Sequence, residues 1–123
     1  MSRTAAILIE AGKIIADPAQ WTQGALARDK SGNDAKPNAR GAVRFSAEGI
    51  ICKVLRWNPE KDDERNLRIV GISGPALATL DLMANRQHRH SSFYVNDVLG
   101  HSETMEMFRA AVRYARASGR SHK

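Results

Sequence analysis

Cysteine is almost missing from this chain: Cys52 is the single one, and it lies in an apolar segment. A disulfide framework is therefore excluded, which points to a reducing compartment. Long apolar runs are missing too. None approaches the length needed to cross a bilayer. The start, Met1-Ser2-Arg3-Thr4, leads into an apolar stretch broken by Glu10 and Lys13, unlike the uninterrupted core of a signal peptide. These absences predict a cytoplasmic protein with no membrane partner. No Gly-rich phosphate loop, nucleic-acid signature, internal repeat or low-complexity segment is present. Acidic residues are in short supply, at 13 Asp and Glu against 19 Lys and Arg. The formal charge is +6, which favours polyanionic partners, either nucleic acid or an acidic protein surface.

What remains is an ordinary globular composition, 42% hydrophobic and 26% charged over 123 residues, long enough for one domain with a real core. A single domain is expected over 1–123, with a folded core at 2–118 and a basic tail at 119–123. Helical periodicity organises most of it. Residues 4–16 carry Ile7, Leu8, Ala11, Ile14 and Ile15 on one stripe, and Asp17-Pro18 stops the helix. A second helix is expected over 46–57, with Ser46 as N-cap and Phe45 and Ile50 placed as a hydrophobic staple. The polar run 58–66 reads as a solvated loop. The apolar run Leu67–Ile72 is either strand or linker, since periodicity cannot separate them.

Ser73-Gly74-Pro75 reads as the start of a third helix, with Leu77, Leu80, Met83 and Ala84 inward. Phe93–Asp97 reads as extended and half buried. A last helix is expected from about Ser102, its cap, to Gly119, with Met105, Phe108, Val112 and Ala115 as its apolar seam. The fold class is mainly α: a single compact domain of about four amphipathic helices, with room for a short β-hairpin in 25–44. The expected core includes Ile14, Ile51, Leu55, Leu80, Phe108 and Val112.

The most specific stretch is Trp21-Thr22-Gln23-Gly24-Ala25-Leu26-Ala27-Arg28-Asp29, with Gly32 just beyond it. Ala42-Val43-Arg44-Phe45 then leads into Ser46-Ala47-Glu48-Gly49-Ile50, and Asn96-Asp97 precedes the terminal helix. Over about residues 4–117 this pattern resembles an uncharacterised bacterial and phage family, domain of unknown function 6197. The resemblance implies a small, helix-rich cytoplasmic domain and brings no established activity. It also implies that family members usually carry cysteine where this chain has Ser46, and Trp-Asn-Asp where it has Val95-Asn96-Asp97. A nucleophilic cysteine at that helix start would be lost here.

Several residues could carry chemistry. Asp97, His101 and Ser102 supply an acid, a base and a hydroxyl, but triads are made by geometry rather than by neighbours in sequence. The plainer reading has Ser102 capping a helix and Asn96 or Asp97 forming a turn. Trp21 and Gln23 suggest a ligand pocket. Against that, a tryptophan after a proline-terminated helix usually plugs the core edge and holds a loop by its N–H. A small hydrolase or transferase would need Asn96, Asp97 and His101 to converge with Trp21 or Gln23. His88, His90 and His101 fall short of the four close ligands of a structural zinc site, and no metal or cofactor is expected. Arg109, Arg113, Arg116 and Arg120 are spaced four, three and four, on one helix face opposite the apolar seam. The reading that follows is a non-catalytic binding module that meets nucleic acid or an acidic protein through this face. The sequence sets no oligomeric state.

Overall fold

The computed structural model describes residues 3–55 and 63–121, with side chains described outside 56–73 and 119–123. Among the described residues, five helices enclose the core and a small sheet lies beside them. These are α1 (Arg3–Ile15), α2 (Ala47–Val54), α3 (Asp63–His88), α4 (Ser92–Tyr94) and α5 (His101–Ser121). The strands are β1 (Ala27–Asp29), β2 (Asp34–Ala35) and β3 (Ala42–Phe45), antiparallel in the order β2-β1-β3. The class expected from the sequence holds, with one short helix more than the four expected and a third strand added to the hairpin.

α1 is the central element. Ala5, Leu8, Ala11 and Ile15 are completely buried, and the helix packs on α2, α3 and α5. Asp17 ends it by turning the chain into a 3₁₀ turn at Pro18–Gln20, its carboxylate accepting the Ala19 N–H at 2.9 Å. α2 starts as its sequence suggests: the Ser46 hydroxyl accepts the Gly49 N–H at 3.0 Å. The hairpin turn depends on Asp29, whose Oδ1 accepts the N–H groups of Ser31 and Asn33, and on Gly32 at φ 87°.

α3 differs from expectation. Residues 67–72 are neither strand nor linker, and Ser73 does not start a helix, because α3 runs unbroken from Asp63 to His88 with Pro75 inside it. The loop expected over 58–66 therefore ends before Asp63; residues 56–62, including Asn58-Pro59, lie outside the described residues. Proline's fixed φ is itself helical, so the helix runs through Pro75 at the loss of one hydrogen bond. Arg89, at φ 61°, closes α3 in a left-handed conformation that glycine commonly fills.

The segment 93–97 is helical, not extended. Ser91 caps α4 by accepting the Tyr94 N–H, and Asp81 holds Ser92 through its N–H at 2.8 Å and its hydroxyl at 2.6 Å. The chain then widens into a π-turn at Val95–Leu99, closed by the Gly100 N–H donating to Val95 O. Gly100, at φ 118°, reverses the chain into α5. Ser102 is thus not the cap: it lies exposed in the first turn, while the Thr104 hydroxyl donates to Gly100 O at 2.7 Å.

Gly119 does not stop α5 either, since helical backbone continues to Ser121 and takes in the first part of the expected basic tail. The inward face of α5 is centred on Thr104, Met107, Phe108 and Ala111, and Met105 and Val112 sit half-buried at its edge. Of the six expected core residues, Ile51, Leu80 and Phe108 are buried, and Ile14, Leu55 and Val112 only partly so.

Candidate functional site

The Trp21–Asp29 stretch and the π-turn meet at Asn96. Its side chain is 1% exposed, and every hydrogen-bonding position on it is filled. Oδ1 accepts the Trp21 indole Nε1–H at 2.8 Å and the Ala47 backbone N–H at 2.9 Å. Nδ2 donates to Thr22 O at 3.0 Å and to Asp97 Oδ1 at 2.8 Å. The Gln23 amide donates to the Asn96 carbonyl at 3.1 Å. Asn96 therefore ties the arm after α1, the start of α2 and the π-turn together, and gives one orphan N–H of α2 its partner.

Arg28 performs a similar role on the arm's outer side. Its guanidinium donates to Thr22 Oγ1, Gln23 O, Gly32 O and Asp34 Oδ1, the last at 2.7 Å as an ion pair. Leu26 supplies a third tie. Its carbonyl accepts the Ser46 N–H at 3.1 Å and faces Gly49 so closely that a Cβ there would collide with the oxygen. The specific residues of the stretch are thus engaged in wiring the fold.

His101 reaches the same neighbourhood from the start of α5. Its Nε2 lies 2.7 Å from Ile15 O, which can only accept, so this nitrogen carries the hydrogen. Its ring meets the Trp21 ring edge-on at 5.1 Å. The structure does bring Trp21, Gln23, Asn96, Asp97 and His101 into one neighbourhood, but Trp21, Gln23, Asn96 and His101 Nε2 spend their hydrogen bonds on backbone and on one another. His90 stacks on Tyr94 at 3.8 Å, and no group of three metal-ligating side chains forms among the described residues. Ser46 is buried and spends its hydroxyl on the cap. Cys52 is also buried, and burial, followed by the Glu48 carboxylate, pushes its thiol up to about 12.

A cavity of about 220 Å³ adjoins this wiring, lined by Gly24–Leu26, Ser46–Glu48, Phe93, Asn96 and Asp97. Trp21 and Gln23, the expected pocket residues, are not among its lining residues; both hydrogen-bond to Asn96, which is. Glu48 keeps much of its surface exposed, and the partial desolvation of its carboxyl, followed by the neighbouring Asp81 and Asp97 carboxylates, raises its pKa. Glu48 entered the sequence reading only as part of the Ser46–Ile50 pattern, and Phe93 only as part of an extended, half-buried segment, neither as a site residue.

On the opposite side of α5 from the core, Arg109, Arg113 and Arg116 are all exposed and form no ion pair with a described carboxylate. The Arg120 side chain lies outside the described residues. On the neighbouring face, Arg86 from α3 lies over the Tyr114 ring at 5.4 Å.

The family of unknown function designated DUF6197 matches residues 1–114, and the chain belongs to it. No curated protein and no solved structure matches the chain.

Proposed function

We propose that this member of a family of unknown function is a non-catalytic binding module whose α5 face docks on a polyanion, nucleic acid in the first instance. One observation carries the reading: Arg109, Arg113 and Arg116 project from one face of a helix anchored by buried Thr104, Met107, Phe108 and Ala111, and no described carboxylate neutralises them. Guanidinium groups match phosphate geometry in a bidentate fashion, and a fixed helix presents them without a large ordering cost. Such contacts position a partner without reading sequence.

The catalytic alternative around Asn96, Asp97 and His101 has less support. Asn96 has no free side-chain position, and His101 Nε2 is committed to Ile15 O. The test is fluorescence anisotropy with mixed-sequence DNA and RNA, comparing the wild type with an Arg109→Ala/Arg113→Ala/Arg116→Ala variant. Binding at low salt that the variant loses supports nucleic acid. Equal binding by both proteins, or none by either, sends the search to an acidic protein partner.

A further inference from the structure

From the cavity beside α2, we infer a second docking site, distinct from the arginine face, that accepts a lysine or arginine side chain from an extended segment of a partner protein. Three features of the cavity lead there.

The first is size. About 220 Å³ is below the roughly 300–1,000 Å³ of ordinary small-molecule pockets, and suits one long side chain. The second is the apolar wall. Phe93 is 66% exposed and Leu26 39%, and Val98 on the adjoining π-turn is 58% exposed. Such exposure costs free energy in water unless something covers it. Lysine and arginine cover apolar surface with their methylene stems while the charged head stays near water, and an aromatic face attracts the cation.

The third is the sign of the charge. The chain carries +6 overall, yet Glu48 and Asp97 line this cavity with Asp81 near Glu48, and none of the three is in an ion pair among the described residues. Desolvation first, and then the Asp81 and Asp97 carboxylates, raise the Glu48 pKa, and a cation in the cavity would offset the carboxylates' part. An anionic ligand would meet those carboxylates on entry, so the α2 N-terminus is no phosphate site.

The walls are preformed. Leu26 is clamped by its carbonyl between Ser46 and Gly49, and Asn96 is held on all sides, so binding would reorganise little backbone. An extended segment could lay its backbone along the open mouth with the cationic side chain inside.

The test is an amide NMR titration of ¹⁵N-labelled protein with a short acetylated, amidated peptide carrying one arginine between leucines. The same peptide with citrulline, which keeps the shape and loses the charge, is the control. The arginine peptide should shift the amides of Ala25, Leu26, Glu48 and Asp97, and citrulline should weaken binding about tenfold. A Glu48→Gln/Asp97→Asn variant should weaken the arginine peptide to a similar degree while its remaining amide spectrum stays folded, and Phe93→Ala should weaken both peptides. Equal affinity for the two peptides would overturn the proposal. Shifts confined to other surfaces would do so too. Butylguanidinium binding as tightly as the peptide would overturn the assignment to a protein segment, as would a self-associated form that the peptide dissolves.

Discussion

Trp21 and Asn96, 75 residues apart in the chain, are joined by one hydrogen bond of 2.8 Å from the indole N–H to the amide oxygen. The same oxygen takes the first N–H of α2, so a single side chain fixes the relation of three elements. Asn96→Ala leaves the Trp21 N–H, the Ala47 N–H and the Thr22 carbonyl without partners. The expected cost is about 3–5 kcal/mol in urea unfolding. Trp21→Phe, which removes one donor, should cost about 1–2 kcal/mol. Equal small losses for both would show that the hub does not hold the fold.

Asn96→Asp keeps the acceptor and loses both donated bonds, and it sets a second carboxylate against Asp97. Its folded-state pKa should rise above the unfolded value through burial and like charge. A group raised in this way lets the unfolded state lose its proton first, so the variant's stability should fall as pH climbs through the carboxylate range. Wild type and variant compared at acidic and neutral pH would check this. A gap that narrows as pH rises would contradict it.

Gly49 stands where any Cβ would run into the Leu26 carbonyl. Both partners are backbone, so neither can swing aside. Gly49→Ala should cost about 3 kcal/mol or more or prevent folding, whereas Gly41→Ala, with nothing within 4 Å, should stay within about 0.5 kcal/mol. Melting temperatures of the two variants are the check.

How much of this could be read in the sequence follows from the range of each interaction. α1 and α2 were legible because period, proline and the Ser46 cap are all local. The tryptophan N–H was legible as a loop holder, but its partner lies 75 residues away, and no spacing rule finds Asn96. Phe93, Tyr94 and Val95 have strand-like propensity, and that propensity loses to the Ser91 cap and to the grip of Asp81 on Ser92. Leu67–Ile72 is too short for periodicity to assign, and Pro75 suggested a boundary that the helix passes through. The exposure of Phe93 was illegible because an apolar residue normally signals core.

Cys52 should behave as a buried hydrophobe. With its thiol pushed up to about 12 from the usual 9.0, the unfolded chain ionises first, so the thiol's contribution to stability should be intact below pH 9 and decline between pH 9 and about 12. Reaction with an aromatic disulfide reagent at neutral pH should be slow in native protein and fast in urea. Equal rates would mean that the thiol is accessible.

Core truncations should separate into two groups. Leu80→Ala and Phe108→Ala, at fully buried sites, should each cost about 3–5 kcal/mol, and Val112→Ala, at the half-buried edge of α5, about 1–2 kcal/mol. Denaturant midpoints at constant slope provide the comparison.

The salt dependence of duplex DNA binding, measured on wild type and on the Arg109→Ala/Arg113→Ala/Arg116→Ala variant, tests the arginine face most directly. Each phosphate neutralised adds about 0.9 to the slope of log affinity against log salt concentration, so removing all three arginines should flatten it by about 2.7. That flattening, in a variant whose melting temperature is unchanged, is the expected result. A slope unaltered by the three substitutions, or no binding by wild type at low salt, would contradict it.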